Sequence, residues 1–230
     1  STENRPEISA NIYNFSSVKI INMKVNKGHA RCNASGLKHI FDKEEFDYVI
    51  PMDGDGEDRP EEIKLLLKKM SENPEKVIVG ERIKRSESIF FKFCYFIHKI
   101  ITLTFTGKSI KFGNYTCVPK LIVEKMINEK ATWSSFSGSL TKISVDRIAT
   151  PSIRGERYFG PTKMSFFKLL IHSLSIISVF KYGVILRSLL FSLIYLFLVY
   201  PKITIITIIP IVFIIALIIS VFIVSRRENL

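Results

Sequence analysis

Apolar residues are spread unevenly along this chain of 230 residues. Up to about Thr150 they come in short runs of strand length: Val18-Lys19-Ile20-Ile21-Asn22-Met23, Tyr48-Val49-Ile50-Pro51-Met52 and Lys76-Val77-Ile78-Val79-Gly80. Between them His29 to Phe41, and Pro60 to about Glu72, carry apolar residues at helical spacing. Strand-length runs alternating with amphipathic stretches predict an α/β domain, a parallel sheet covered by helices. Farther on, Ile89 to Thr106 is rich in aromatics and isoleucine and predicts a helix against the domain or a lipid surface. Phe112 to Val118 predicts a short strand, Pro119 opens the helix after it, and Val145 to Ile153 is extended, ending at Arg154.

The last fifty residues follow a different pattern. Tyr182 to Tyr200 is a nearly continuous apolar run, and Ile203 to Val224 contains no charge. Each approaches the ~20 residues that span a bilayer, and Pro201-Lys202 between them makes a hairpin whose ends emerge on one side. Pro210 inside the second run is tolerable in a membrane helix. Lys163, Lys168, Lys181 and Arg187 precede or open the first run, Arg226-Arg227 follow the second, and the turn offers only Lys202. By the positive-inside rule the large domain and the tail are then cytoplasmic, in a multi-pass protein of the inner or plasma membrane. From Lys163 to Phe180, apolar residues interleave with Lys168, His172, Ser173 and Ser175. That suits an amphipathic helix in the membrane interface, with an ordinary core helix as the alternative. The expected division is 1–162 for the α/β domain, 163–181 for the interfacial helix, 182–224 for the hairpin and 225–230 for the tail.

A net charge of +12 fits work at an anionic membrane face. Nucleic-acid binding is the competing reading of basicity, but no nucleic-acid motif accompanies it. Cys32, Cys94 and Cys117 are scattered, which suits a reducing compartment and argues against a zinc site or disulfide framework. The polar N-terminus has no signal-peptide pattern. Membrane hairpins often associate, so a homo-oligomer is compatible with the sequence.

The chemistry concentrates in Met52-Asp53-Gly54-Asp55-Gly56-Glu57-Asp58-Arg59-Pro60-Glu61. A buried strand here ejects carboxylates at its carboxyl end, where open α/β sheets bind ligands. Packed acids repel one another unless a cation or solvent intervenes, and hard divalent cations take carboxylate oxygens together with substrate phosphates. The segment reads as a metal–diphosphate site; a merely solvated acidic turn is the alternative. Asp58 and Glu61 are spaced as a helix N-cap and its N3 acid, with Pro60 near N1, so they are expected mainly to start a helix. Asp53, Asp55 and Glu57 alternate along an expected extended segment and can share one side.

Asn26-Lys27-Gly28, Ala34-Ser35-Gly36-Leu37, the acidic motif, Val79-Gly80-Glu81-Arg82 and Arg157-Tyr158-Phe159-Gly160-Pro161-Thr162-Lys163-Met164-Ser165 together resemble family 2 glycosyltransferases. Within them they are most similar to the branch of dolichol-phosphate mannose synthase and bacterial polyprenyl-phosphate glycosyltransferases. The resemblance runs from Ser1 to about Phe180. It implies a GT-A fold and inverting transfer of a sugar from a nucleotide-diphosphate sugar donor to a polyprenyl phosphate or a related glycan acceptor. It implies Mg²⁺ or Mn²⁺ on Asp55 and Glu57, the latter where relatives often carry Gln, and Asp53 on the nucleotide side. Arg82 is expected at the acceptor phosphate, and Arg157 and Lys163 on a segment that closes over the diphosphate; Arg85 is as readily a solvated charge.

Two departures shape the expectation. Relatives open with an apolar strand and an Asp-Asp-x-Ser turn, whereas Ser1-Thr2-Glu3-Asn4 resembles only the end of that turn. The domain is therefore expected to lack its first strand and one nucleotide-contacting aspartate, and the second reading is a truncated, inactive membrane partner or scaffold of a glycan-assembly complex. Asn114 stands where some relatives carry an aspartate that is a candidate base. An anionic phosphate acceptor has less need of a base than a hydroxyl, so Asn114 favours the phosphate.

Overall fold

The computed structural model describes residues 15–84, 89–144, 146–158, 160 and 165–226. Four strands, β1 (Tyr48–Val49), β2 (Val77–Lys84), β3 (Phe112–Pro119) and β4 (Arg147–Ile153), form one sheet in the order β1-β3-β2-β4. β3 runs antiparallel to both neighbours, pairing Val49 with Val118 and Ile78 with Cys117, while β2 and β4 are parallel. The sheet is thus mixed. The expected direct parallel pairing of the first strands is corrected: β1 and β2 point the same way, but β3 is inserted between them.

Period-2 alternation assigns the two faces. Val77, Val79 and Val118 face a core with Leu37 of α1 (His29–Lys43), Ile122, Val123 and Met126 of α4 (Lys120–Asn128), and Phe136 and Leu140 of α5 (Phe136–Ile143). Ile78, Tyr115 and Cys117 face the other way, onto Leu66 and Met70 of α2 (Ile63–Glu72). Leu66 and Met70 are four residues apart, one turn of helix, so a single stripe buries both. Truncating one such fully buried side chain to alanine typically costs about 2–5 kcal/mol.

Two strand expectations are revised. Val18 to Met23 forms no strand: Val18, Ile20 and Ile21 are exposed, and no strand among the described residues pairs with them. An extended apolar run becomes a strand only when a neighbour takes its backbone groups. The run beginning at Tyr48 is ordered as strand for two residues only, and Pro51, two residues past its end, has no N–H for a ladder.

The remaining helices make a second cluster. α3 (Ile89–Thr106), α6 (Phe166–Ser178), α7 (Lys181–Val199) and α8 (Ile205–Ser225) meet around Ile177, Val184 and Val221, with Ile101, Phe105, Leu174 and Leu217 packed on them. A 3₁₀ turn, Tyr200–Lys202, joins α7 to α8, and Thr204 and Thr207 cap α8 reciprocally. Pro210 lies inside α8 without ending it. α7 with its 3₁₀ turn, and α8, are 22 and 21 residues long and apolar enough to cross a bilayer, with most of their large side chains exposed. At 1.5 Å per residue each measures about 30 Å.

Candidate active site

The acidic loop leaves β1 and turns back at once. Residues 54–57 form a tight turn instead of the expected extended segment, so Asp53, Asp55 and Glu57 do not line one side. Gly56 permits the turn: its φ of 90° lies in the left-handed region, and a Cβ there would stand 2.8 Å from the Glu156 carbonyl oxygen and the Tyr158 ring. The turn is fastened to the segment after β4 by two backbone bonds, Gly155 N–H to Glu57 O and Tyr158 N–H to Asp55 O, each 2.9 Å. Glu62, buried at the start of α2, holds the same segment from below by accepting Ser152 Oγ–H at 2.7 Å and Ile153 N–H at 2.9 Å.

This strap carries two arginines onto the acids. Arg157 Nη1 lies 3.1 Å from Asp55 Oδ2 and 3.3 Å from Glu57 Oε1, and Arg154 pairs with the second oxygen of Glu57. Asp55 Oδ1 accepts the Glu57 N–H at 3.0 Å, so one loop holds both carboxylates toward Arg157. Arg157 Nε is buried with no hydrogen-bond partner among the described residues.

On the other side of the loop, Asp58 is only 4 % exposed and accepts the Asp53 N–H at 3.0 Å and Arg82 Nη2 at 3.3 Å. Burial pushes its carboxyl above the ordinary range, against the bonds from Asp53 and Arg82 that favour the charge. Asp58 does not cap the helix. The first turn, Pro60–Glu62, is 3₁₀, starts at Arg59 and has no side-chain cap, while Glu61 sits by Arg59 at 3.7 Å. The expectation that Asp58 and Glu61 mainly start α2 is corrected, because Arg82 at the end of β2 draws Asp58 inward. Tyr115 of β3 closes this side by donating to Arg59 O at 2.7 Å; burial and the nearby Glu62 and Asp58 charges push its phenol up to about 12.

Asp53 meets a partner that sequence reasoning passed over. His29, the first residue of α1, places Nε2 3.1 Å from Asp53 Oδ1, and Asn114 Nδ2 of β3 lies 3.3 Å from the same nitrogen. The hydrogen bond to Asp53 raises the His29 pKa above 6.5, with Asp58 and Asp55 adding to the pull; the same bond holds Asp53 below the usual aspartate range. The available signal was its position: a histidine directly after the Gly28 turn, at a helix start that faces a strand end. Arg154 was legible only as the end of an extended piece.

The structure therefore brings Asp53, Asp55, Glu57, Arg82 and Arg157 to one sheet end, and adds His29, Asp58, Asn114 and Arg154. Lys163, Arg85 and the Ser1–Asn4 turn lie outside the described residues. Among the described residues no three His, Cys, Asp or Glu side chains stand together as a metal-ligand group. Asp55 and Glu57 supply two converging carboxylates at most, an all-oxygen donor pair suited to a hard cation that completes its shell with phosphate and water.

Residues 1–119 match the family model described as Glycosyl transferase family 2. The chain belongs to glycosyl transferase family 2. As a family 2 glycosyltransferase it is 30 % identical over 161 residues to an undecaprenyl-phosphate 4-deoxy-4-formamido-L-arabinose transferase of Klebsiella pneumoniae, covering 66 % of this chain and 46 % of the relative. The transferase of the same name from Yersinia enterocolitica is 28 % identical over 181 residues, covering 74 % and 52 %. The uncharacterized glycosyltransferase YkcC of Bacillus subtilis is 26 % identical over 168 residues, covering 72 % and 50 %. This glycosyltransferase chain spans about half the length of the curated relatives it matches.

Proposed function

We propose that this chain is a membrane-anchored GT-A enzyme that moves a sugar, with inversion, from a nucleotide-diphosphate sugar to a polyprenyl phosphate. The observation that carries the reading is the convergence of Asp55 and Glu57 on one guanidinium nitrogen of Arg157. Two carboxylates and an arginine so arranged can exchange partners: the carboxylates to a cation, the arginine to a diphosphate oxygen. The Nε of Arg157, which has no hydrogen-bond partner among the described residues, supplies a further donor for that oxygen. Mg²⁺ or Mn²⁺ would be held by Asp55 and Glu57 and, when bound, would act as a Lewis acid for the charge on the leaving diphosphate.

The chain's own residues have the remaining tasks. Asp53 stands on the nucleotide side and Arg82 with Asp58 fixes the β2 end of the site toward the acceptor; Lys163, outside the described residues, is assigned to the diphosphate by the family resemblance alone. α7 and α8 form the membrane hairpin, and α6, with Phe166, Phe167, Leu170 and Ile171 exposed, lies in the interface. The flanking basic residues put the catalytic domain on the cytoplasmic face. The lipid-phosphate acceptor draws support from the undecaprenyl-phosphate transferases among the relatives.

The test uses the full chain in nanodiscs, a panel of labelled nucleotide sugars, polyprenyl phosphate, and Mg²⁺, Mn²⁺ or chelator. Transfer that requires the divalent ion and falls at least a hundredfold in Asp55→Asn is expected. No transfer by the wild type overturns the proposed reaction; transfer undiminished in Asp55→Asn overturns the site.

A further inference from the structure

We infer that α3 lies in the lipid face of the membrane beside the hairpin, its end fastened there by Arg187, so that a second helix besides α6 seats the catalytic domain on the bilayer. The inference rests on the membrane hairpin of the reading above and adds to it a lipid-contacting element and the residue that sets its depth.

α3 is apolar on two opposite faces. Ile101 and Phe105 pack inward on the Ile177, Val184 and Val221 cluster, and Phe105 meets Phe191 of α7 edge to face with ring centroids 5.8 Å apart. The other face carries Phe93, Phe96, Ile97, Ile100 and Leu103, each 40–60 % exposed. At about 100° per residue these five fall within an arc of about 120°. A helix that packs on one side and meets water on the other is polar on the wet side, and this one is not. Lys99, exposed on the flank of the stripe, stands where an interfacial helix keeps its charge.

Continuity and charge identify what covers the stripe. α3 packs against α6 and α7, so its apolar face belongs to the same helical cluster as the two long apolar helices and the exposed Phe166 and Phe167 of α6. None of these four helices contains an aspartate or glutamate; all 21 acids of the chain lie elsewhere. A surface with apolar stripes, lysines and no acid fits an anionic bilayer.

Arg187 supplies the depth. Gly107 directly follows α3 with φ 69°, and its N–H closes the helix on Leu103 O at 2.8 Å. A Cβ on Gly107 would stand 2.5 Å from Arg187 Nη2, and one on Gly183 would stand 3.1 Å from Nη1. The guanidinium thus fills a slot that two glycines leave open, at the carbonyl end of α3, where the helix dipole favours positive charge. Arg187 is in the second turn of α7 and is its last charge before Lys202. A charge so near the end of a membrane helix is held at headgroup level, and the end of α3 is held with it. α3 begins five residues after Lys84, the end of β2, a reach of about 18 Å at most. The contact therefore keeps the Arg82 end of the site close to headgroup phosphates.

The experiment reads depth without using activity. Full chain is placed in vesicles of phosphatidylcholine and phosphatidylglycerol whose acyl chains are brominated either near the headgroup or near the terminal methyl. The wild type, with Trp133 alone, sets the baseline. Phe96→Trp and Leu103→Trp should be quenched at least about twice as strongly as that baseline, more by the shallow bromines than by the deep ones. Leu67→Trp, equally exposed on α2, should stay at the baseline. In Arg187→Leu the end of α3 loses the charge that holds it at headgroup level, and quenching at Leu103→Trp shifts toward the deep bromines by about twofold. Gly107→Ala, which keeps the charge but fills its seat, gives the same shift. Phe96→Trp beyond the reach of both quenchers overturns the inference, whether a second copy or water covers the stripe, and so does equal quenching at Leu67→Trp. A ratio at Leu103→Trp unmoved in both Arg187→Leu and Gly107→Ala overturns the part given to Arg187. Phe213→Trp, exposed midway along α8, reports the hairpin itself. Deep quenching there with none at Phe96→Trp overturns the role of α3 alone, and none at Phe213→Trp overturns the membrane-anchored reading.

Discussion

Gly54 and Gly56 look alike in the acidic motif, but the structure separates them, and replacing each by alanine tests the loop-and-strap arrangement directly. At Gly54 an added Cβ meets nothing within 4 Å and φ is not positive, so Gly54→Ala should leave stability within about 0.5 kcal/mol. At Gly56 two penalties combine. Alanine in the left-handed region costs about 1–2 kcal/mol. Its Cβ would also stand 2.8 Å from the Glu156 carbonyl oxygen, a backbone atom, so the strap must lift. Lifting it weakens the Gly155–Glu57 and Tyr158–Asp55 bonds, each contributing about 1 kcal/mol. The sum is about 2–4 kcal/mol, and at about 2–4 °C per kcal/mol for a chain of this size the melting temperature should fall by about 5–15 °C. Trp133 is the only tryptophan and lies in the 3₁₀ segment Lys130–Trp133 of the α/β domain, so its fluorescence on heating in detergent reports this unfolding. Sugar transfer should also drop at least tenfold in Gly56→Ala, because the displaced strap withdraws Arg157 from Asp55 and Glu57. Gly56→Ala melting within 2 °C of wild type, or Gly54→Ala falling as far, would refute the reasoning.

Two further outcomes follow from the same geometry. Glu62→Ala should cost about 2–3 kcal/mol, because it leaves the Ile153 N–H and Ser152 hydroxyl without their acceptor; a melting temperature unchanged to within 1 °C would show that water replaces the carboxylate without penalty. The His29–Asp53 pair should make the melting difference between wild type and His29→Gln depend on pH. The raised pKa of His29 contributes stability below 6.5 that is lost as pH rises through its folded value, and the depressed pKa of Asp53 contributes stability above 3.8 that is lost as pH falls through its folded value. The difference should therefore be largest between about pH 4 and 6.5 and shrink at pH 3 and 8.5; a difference independent of pH would rule the pair out as the source.

Local pattern made most elements legible. The helices from His29, Ile63, Ile89, Lys120 and Phe166, and the two long C-terminal ones, stand near where spacing predicts them, because an amphipathic stripe or an unbroken apolar run carries its own signal. Strand neighbours are not encoded locally. Nothing in Phe112–Pro119 reveals that it enters the sheet between β1 and β2 and runs against both. Val18 to Met23 has strand composition and remains exposed, because composition does not supply a partner.

The site was legible as residue types and misread as pairings, and the reason is electrostatic. Read alone, the acidic motif predicts repulsion relieved by a cation, which is the argument for a metal. The fold supplies Arg82 from β2, Arg154 and Arg157 from the strap and His29 from α1, residues 24 to 102 positions away, and together they meet Asp53, Asp55, Glu57 and Asp58. Asp58, which by spacing belongs to the helix start, is drawn inward to Arg82, because a buried carboxylate needs a charged partner more than a helix that Pro60 already starts needs a cap. Asp53 is occupied by His29, so the cation argument narrows from four acids to Asp55 and Glu57, the two that share Arg157. In the proposed reaction, an arginine shared by two carboxylates on a glycine-hinged loop would have a second use once a diphosphate arrives. That exchange of partners would tie metal dependence to the integrity of the strap, which is why Gly56, with no functional group of its own, should matter to transfer as much as it does to stability.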